Sequence, residues 1–342
     1  MRLDKIKWDV IDSLTEQYGD TAKTFFYGRP EICDPLHTIV ATDDVIVQPK
    51  WNIPKKMVVS TALTGSFFRK NDNPNQPITV DEIYNAGKEV CDAGGQIVHI
   101  HVRNDEGYNV IDIDRFKATI GRLKEEYPDR MFECCIVPRW EGEWDKLEKM
   151  LDMGYTETVT VNTVASYIGD MLNTKGPQVM IKKAKIIQEH NCKPRMAVYT
   201  DGDIDNARRY LLETGIIEFS KENPTHWGIV GPLPGCTPMN NETQMVEGLL
   251  HIVSRIRDID PYAVIQVCAS GRASSYLAVL SAIMGLNVRI GMEDTVWRYP
   301  HEDAKIENNA KLFSEFKNFV HFIGREIATA NDYRKMIGLP LK

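Results

Sequence analysis

The sequence predicts an α/β protein, a closed parallel barrel of eight strand–helix units that follows an N-terminal extension. Short apolar runs rich in β-branched residues alternate with longer amphipathic stretches from about residue 57 to about residue 322. Polar residue types collect where these runs end. No G-x-G-x-x-G motif follows the first run, so an open doubly wound sheet, the alternative architecture, lacks its usual nucleotide-binding signature.

The eight apolar runs are the predicted strands. The amphipathic stretches between them, such as VDEIYNAGKEVCDAGG, often begin with Ser, Thr or Asp and end at Gly or Pro, which are helix start and stop signals. Eight such units are typical of a TIM (β/α)8 barrel, whose usual length is about 250 residues. The predicted strands are 57–63, 96–102, 131–137, 156–162, 194–200, 225–231, 263–269 and 287–292.

The predicted barrel, the candidate catalytic domain, takes up residues 56–342, and residues 1–55 form the N-terminal extension. The extension combines one short helix with turns that contain Pro and Asp, and we expect it to pack on the barrel or on a neighbouring subunit. At the other end, ATANDYRKMIGLP (328–340) has the pattern of a capped terminal helix.

The composition excludes several classes of partner. The chain has 342 residues, of which 43% are hydrophobic, and a net charge of −7 without a basic run, so neither nucleic acid nor an anionic membrane is an expected partner. No stretch approaches the ~18 apolar residues of a membrane span, and the N-terminus lacks the apolar core of a signal peptide. Seven cysteines without metal-site spacing fit reduced thiols. We therefore expect a cytoplasmic protein.

Polar residues lie at or just after the end of every predicted strand, on the face of a TIM barrel where active sites lie. Taken singly, each of them also fits a helix cap or a loop residue. Their shared position predicts an active site at this face of the barrel. In strand order they are Ser66, His99 and His101, Cys135, Thr160, Tyr199 and Thr200, Gly235, Arg272, and Glu293 and Asp294.

His99 and His101 form the most informative pattern in the chain. Successive strand side chains point to opposite faces, so these two imidazoles project together, with Arg103 continuing the same face. Two imidazoles on one strand need one more ligand to bind a divalent ion such as zinc. Glu293 is the candidate, because only the first strand separates the eighth from the second in a closed barrel. The alternatives are buried, hydrogen-bonded histidines and a solvated loop acid.

Several segments together resemble the β-keto acid cleavage enzyme family. The most specific are HIHVR (99–103) and R-x-G-x-E-D (289–294), and the resemblance covers about 280 residues from Met57 onward. It implies a TIM barrel that binds one Zn²⁺ per subunit, uses acetyl-CoA as co-substrate, and converts a β-keto acid to acetoacetate and a new acyl-CoA. The supporting segments are TALTGSFFRKNDNPNQPIT (61–79), TVTVNTVASYIGD (158–170), GPLPG (231–235) and SGR (270–272).

The resemblance also implies roles for individual residues. The family's zinc ligands correspond to His99, His101 and Glu293, its catalytic aspartate to Asp294, and the arginine that orients this aspartate to Arg289. In that chemistry the zinc ion acidifies the carbon between the keto and carboxylate groups of the substrate, and the aspartate takes the proton. The resulting enolate attacks the acetyl thioester.

Four further positions bear on the substrate. Thr160 corresponds to a family threonine that hydrogen-bonds the reacting oxygens, and Cys135 stands where the family has a serine. Phe67, next to Ser66, stands where one family member has a glutamate that holds a substrate amine. We therefore expect Ser66 and Phe67 to contact a different substrate tail, either apolar or a quaternary ammonium.

A family glutamate on the fifth strand, which supports the Arg–Asp pair, corresponds here to Ala197. Glu133, on the third strand, is the candidate to replace that carboxylate. Gly235 and Arg272 are candidates to bind the substrate carboxylate or a CoA phosphate, the alternatives being an ordinary turn and a surface ion pair.

Two functions remain open beside acyl transfer, namely a CoA-independent metal-dependent aldolase or hydrolase and a metal-binding barrel without activity. The family resemblance also leads us to expect a homo-oligomer, a tetramer.

Overall fold

The computed structural model describes the backbone of residues 6–18, 51–138, 140–168 and 171–342. The chain separates into two compact units, residues 1–53 and 54–342. The first contains helix α1 (Trp8–Tyr18), in a segment for which the sequence predicts one short helix. The turns predicted farther along this segment, over 19–50, lie outside the described residues.

Eight parallel strands close into a barrel, which confirms the predicted fold class. The strands are β1 (Val59–Ala62), β2 (Ile97–Ile100), β3 (Met131–Cys134), β4 (Thr158–Asn162), β5 (Lys193–Val198), β6 (His226–Gly231), β7 (Val264–Ala269) and β8 (Asn287–Ile290). The barrel closes where β8 pairs with β1, with Val288 opposite Val59. As a result, β8 and β2 flank β1 on its two sides.

A helix follows each barrel strand and covers it from outside. Polar caps set where several of them begin: Thr79 and Glu82 form a capping box, and Asn241 and Asn308 accept backbone N–H groups. No helix in the described ranges is long and apolar enough to cross a membrane. The helices are α2 (Val80–Asp92), α3 (Ile113–Phe116, with the π-helical Lys117–Gly121 and then Arg122–Glu126), α4 (Trp144–Asp152, after a 3₁₀ turn at Glu141–Glu143), α5 (Pro177–Glu189), α6 (Asp201–Ala207, with the π-helical Arg208–Leu212), α7 (Glu242–Ile259), α8 (Ser274–Ile283), α9 (Asn309–Phe322) and α10 (Ala330–Met336).

Two short sheets lie outside the barrel. Lys56–Met57 pairs in parallel with Glu326–Ile327, which joins the start of the barrel to the segment before α10. Ala165–Ile168 and Met171–Thr174 form an antiparallel hairpin between β4 and α5. This hairpin places Lys175 at the edge of the barrel face at which the strands end.

The amino end of the barrel is closed by apolar side chains and by α10. Val58, Ile97 and Met131 pack there against Tyr333 of this helix and against Ile337, which directly follows it, and all are almost fully buried. The helix is the capped terminal helix that the sequence predicts, with Thr329 as its N-cap. Above this apolar layer the barrel interior is polar, because buried side chains of β1, β3, β5 and β7 hydrogen-bond to one another.

A buried ion pair attaches α10 to the barrel. Arg334, 1% exposed, donates from Nε to Glu157 Oε2 at 2.7 Å and from Nη2 to Oε1 at 2.8 Å. Burial raises the pKa of Glu157, but the hydrogen bonds and charge of Arg334 outweigh it and keep that pKa below its usual value. Glu157 is therefore ionised in the folded protein and fixes the helix.

We expect Glu157→Gln to lower the free energy of unfolding at pH 7 by about 3 kcal/mol, because it leaves the Arg334 guanidinium buried without its counterion. Glu326→Gln, which breaks an exposed pair with Lys55, is the control and should cost less than about 1 kcal/mol. Since the Glu157 pKa is depressed by folding, its contribution is present above the unfolded pKa and is lost as the pH falls. Urea unfolding of the three proteins at pH 7 and pH 4 measures both effects, and an equal loss in both variants would refute the assignment.

Candidate active site

A cavity of about 440 Å³ opens at the carboxyl end of the barrel. It lies where the sequence places polar residues after the strands. Eight of the predicted site residues line it: Ser66, Phe67, His101, Cys135, Thr160, Tyr199, Arg289 and Glu293.

The two imidazoles and one carboxylate form a compact group at the wall of this cavity, which His101 and Glu293 line. His99 Nε2 lies 3.2 Å from Glu293 Oε2, and His101 Nε2 lies 3.1 Å from Glu293 Oε1. One candidate ligand atom from each residue lies within 4.8 Å of the others. Gly291, at φ 141°, turns the chain after β8, and a Cβ there would lie 2.1 Å from the Ala62 carbonyl oxygen. This turn brings Glu293 to the histidines.

The group fits a divalent metal ion. His99 Nε2, His101 Nε2 and Glu293 Oε2 are buried, and apart from their close contacts within this group none has a hydrogen-bond partner among the described residues. Buried polar atoms without partners are costly unless a ligand satisfies them. Two imidazole nitrogens and a carboxylate oxygen are a donor set that zinc and several related ions accept.

Arg289 links the candidate metal site to Asp294. Its Nε donates to Asp294 Oδ2 at 2.9 Å, its Nη2 donates to Asp294 Oδ1, and Nη2 also lies 3.0 Å from Glu293 Oε1. Burial raises the pKa of Glu293, but Arg289 and the imidazoles outweigh it and hold that pKa well below its usual value. For Asp294 burial prevails, and its pKa is raised to about 6.

Arg195, which the sequence analysis did not select, lies at the centre of the barrel. It donates to both oxygens of Glu133 at 3.1 Å and to Thr160 Oγ1 at 3.1 Å, and it also donates to Gln266. Its Nη2 lies 3.4 Å from His99 Nδ1. Arg195 thus connects Glu133, which lies behind the candidate metal ligand His99, to the hydroxyl of Thr160, which lines the cavity.

Glu133, the candidate to support the Arg289–Asp294 pair, contacts instead Arg195 and His99, a candidate metal ligand. Besides Arg195, it accepts hydrogen bonds from Ser60 Oγ at 2.8 Å and Tyr333 Oη at 3.1 Å. Its Oε2 lies 3.6 Å from His99 Nδ1. Burial raises the pKa of Glu133, but the Arg195 charge outweighs it and keeps that pKa well below its usual value. A carboxylate behind a ligating imidazole orients the ring and raises its basicity.

Arg103 does not share the cavity with the histidines, contrary to the strand pattern. The strand β2 ends at Ile100, so the alternation of side chains does not extend to residue 103. Its guanidinium instead donates to Thr64 Oγ1 at 2.7 Å and to the carbonyl oxygens of Phe68 and Gly107. It therefore holds together the loops that follow β1 and β2.

Cys135 borders the cavity beside His101. Burial raises the pKa of the Cys135 thiol, but the hydrogen bond and charge of His101 outweigh it and lower that pKa to about 7. Arg272 and Gly235 lie outside the cavity lining. Arg272 is exposed, pairs with Asp303 at 2.8 Å and stacks 3.7 Å from the Trp297 ring centroid, while Gly235 has a φ of 84° in the loop after β6.

A family model and several known proteins match most of this chain. A sequence model of the beta-keto acid cleavage enzyme family matches residues 56–339. The 3-keto-5-aminohexanoate cleavage enzyme of Acetoanaerobium sticklandii is 27% identical over 296 residues, which is 83% of this chain and 99% of that protein. The 3-oxoadipate:acetyl-CoA acetyltransferase of Cupriavidus necator is 26% identical over 287 residues, 83% of this chain and 95% of that protein.

More distant matches extend the range of relatives. The 3-dehydrocarnitine:acetyl-CoA trimethylamine transferase of Rhizobium meliloti is 21% identical over 307 residues, 83% of this chain and 97% of that protein. The solved binary complex of ObcA with oxaloacetate has a TM-score of 0.65 at 17% identity, covering 78% of this chain and 68% of that one, and it supports the fold alone. Because the family model spans almost the whole barrel unit, the chain belongs to the beta-keto acid cleavage enzyme family.

Proposed function

We propose that the protein condenses a β-keto acid with acetyl-CoA and cleaves the product to acetoacetate and a new acyl-CoA. The observation that carries the proposal is the group formed by His99, His101 and Glu293 next to the Arg289–Asp294 pair, in a chain of this family. Relatives named as acetyl-CoA transferases support acetyl-CoA as the co-substrate.

The exchange balances without any further reactant. The bond between the substrate's keto carbon and the adjacent CH₂ carbon breaks, and a new bond joins that CH₂ carbon to the acetyl group. The CoA sulfur passes from the acetyl group to the released acyl group. The proton removed from the CH₂ carbon at the start returns to it at the end.

We infer that His99, His101 and Glu293 hold a zinc ion. When bound, zinc supplies a Lewis acid that stabilises the negative charge developing on the substrate oxygens as the CH₂ carbon is deprotonated. Asp294 takes this proton at a carboxylate oxygen, and Arg289 fixes that carboxylate through two hydrogen bonds. Glu133 acts through His99, whose ring it orients, and is therefore a positioning residue.

Thr160 and Cys135 are proposed donors to the reacting oxygens. Both line the cavity. The Thr160 hydroxyl oxygen accepts from Arg195, so its hydrogen remains free for a substrate oxygen. Ser66 and Phe67 are proposed to contact the substrate tail. Arg272, on an exposed surface beyond the cavity, is a proposed partner for a CoA phosphate, with the Gly235 loop as a second contact.

We also propose that the protein works in the cytoplasm as a homo-oligomer, a tetramer. Cysteines in the described part of the chain are free thiols, including the adjacent Cys134 and Cys135. Free thiols are typical of a reducing compartment. The tetramer is inferred from the family resemblance, and sedimentation at several protein concentrations measures it.

We expect Glu133→Gln to lower kcat or zinc affinity by about 10- to 100-fold, because glutamine keeps the shape but loses the charge behind His99. Turnover at saturating zinc and zinc titration separate the two effects, and circular dichroism checks the fold. Ser60→Ala, which removes one neutral partner of Glu133, is the milder control. Unchanged turnover and unchanged zinc affinity would remove Glu133 from the site.

The decisive experiment incubates zinc-loaded and chelated enzyme with a panel of β-keto acids, with and without acetyl-CoA. Mass spectrometry reads acetoacetate and the new acyl-CoA. Zinc-dependent formation of both products in equal amounts supports the proposal. Cleavage without acetyl-CoA would instead identify an aldolase or hydrolase, and binding of zinc without turnover of any substrate would identify an inactive barrel.

A further inference from the structure

Lys183 is a buried cation without a partner. It lies on α5, is 4% exposed, and its Nζ has no hydrogen-bond or ion-pair partner among the described residues. Its neighbour on the helix, Lys182, pairs instead with Glu141 at 2.9 Å. A buried ammonium without a counterion is costly. The residue therefore points to a ligand that supplies the missing negative charge.

A small side pocket surrounds Lys183 and adjoins the candidate active site. Its walls include Val137, Asn162 and Lys175, and these three residues also line the main cavity. The side pocket offers about 10 Å³ to a water-sized group, which suits one oxygen atom. Asn162 Oδ1, like Lys183 Nζ, is buried without a hydrogen-bond partner in the described ranges.

Among the described residues around the main cavity, the cations without a counterion lie on the wall that the cavity shares with the side pocket. Arg195 is neutralised by Glu133, and Arg289 is neutralised by Asp294 and Glu293. Lys175, at the edge shared by the two pockets, makes no ion pair with any residue that the structure describes. The cationic groups left for a ligand are thus Lys175 and Lys183.

The Lys183 pocket and the candidate metal ligands adjoin the same cavity, because the main cavity that shares a wall with this pocket is also lined by His101 and Glu293. Burial lowers the pKa of Lys183 to about 8, so most molecules carry the positive charge at pH 7. A substrate in the main cavity therefore has the candidate metal ligands His101 and Glu293 in one part of its wall and the Lys183 pocket beside another.

We propose that Lys183, assisted by Lys175 at the rim, binds a second carboxylate at the far end of the substrate, so that the protein acts on β-keto dicarboxylates. The inference rests on the proposed function and names its substrate class. A quaternary ammonium tail would face two like charges. A neutral apolar tail would leave Lys183 buried and unpaired.

The test compares two β-keto acids of equal chain length, 3-oxoadipate with a terminal carboxylate and 3-oxohexanoate with a terminal methyl. A hydrogen-bonded charge pair predicts that zinc-loaded wild-type enzyme favours 3-oxoadipate by about 10- to 100-fold in kcat/KM. Lys183→Met should remove this preference through a higher KM for 3-oxoadipate, with 3-oxohexanoate unaffected. Lys182→Met, one residue away on the same helix, is the matched control and should keep the preference.

Binding without acetyl-CoA separates this inference from the proposed reaction. Calorimetry of both acids with wild type and Lys183→Met measures tail recognition even if no product forms. Selective loss of 3-oxoadipate binding in the variant supports the inference although the proposed reaction fails. Equal effects of Lys183→Met on both acids, or none on either, would overturn it, as would a preference for 3-dehydrocarnitine, which carries a quaternary ammonium.

Discussion

His101→Ala is expected to abolish tight zinc binding and to lower kcat/KM by about 10³-fold or more. The imidazole is one of three candidate ligands, and its Nε2 lies 3.1 Å from Glu293 Oε1. Without it, two ligands remain, and the several kcal/mol that a Lewis acid contributes to the transition state are lost. Zinc content per chain and steady-state kinetics measure the two effects together.

The matched control for this variant is His251→Ala. His251 lies on α7, far along the chain, and is exposed. The His251→Ala variant should retain both its zinc and its activity. If His101→Ala retained one zinc per chain and turnover within a factor of two of wild type, the assignment of the metal site would be wrong.

Asp294→Asn is expected to lower kcat by about 10²- to 10⁴-fold while zinc content stays unchanged. The asparagine retains an oxygen for one hydrogen bond from Arg289 but accepts no proton from a carbon acid. Asp294 is 2% exposed and bonds to Arg289 rather than to a candidate ligand. Loss of turnover with zinc retained would distinguish a base from a ligand.

Asp303→Asn is the control for the loss of a carboxylate that pairs with an arginine. Asp303 pairs with Arg272 on the surface, so kcat should stay near the wild-type value. A kcat for Asp294→Asn within a factor of two of wild type would assign the proton transfer to another group.

Much of the fold follows from local sequence. The alternation of apolar runs with amphipathic stretches reflects strands and helices directly, and seven barrel strands lie inside their predicted runs while β5 begins one residue earlier. The three candidate metal ligands could be predicted from the sequence for two reasons. His99 and His101 share one face by their spacing, and closure of the barrel puts β8 and β2 on either side of β1.

The rest depends on tertiary contacts that spacing does not encode. Arg195 sits in the apolar run PRMAVYT, and Glu133 in MFECCIV, so a charge within a buried strand was the available signal. The geometry of the closed barrel decides which side chain each of these two charged residues contacts. Lys183 lies in MIKKAKIIQEHN next to Lys182, and only packing of α5 decides which of the two ammonium groups is buried.

A hydrogen bond between α10 and the barrel interior joins two regions that this fold usually keeps apart. In most TIM barrels one face carries the chemistry and the opposite face carries stability. Here Tyr333 donates to Glu133, whose Oε2 lies 3.6 Å from His99 Nδ1. During synthesis, Glu133 behind His99 therefore lacks the hydrogen bond from Tyr333 until α10 has emerged from the ribosome. Loss of α10 by proteolysis would remove that support from the candidate active site at the opposite end of the barrel.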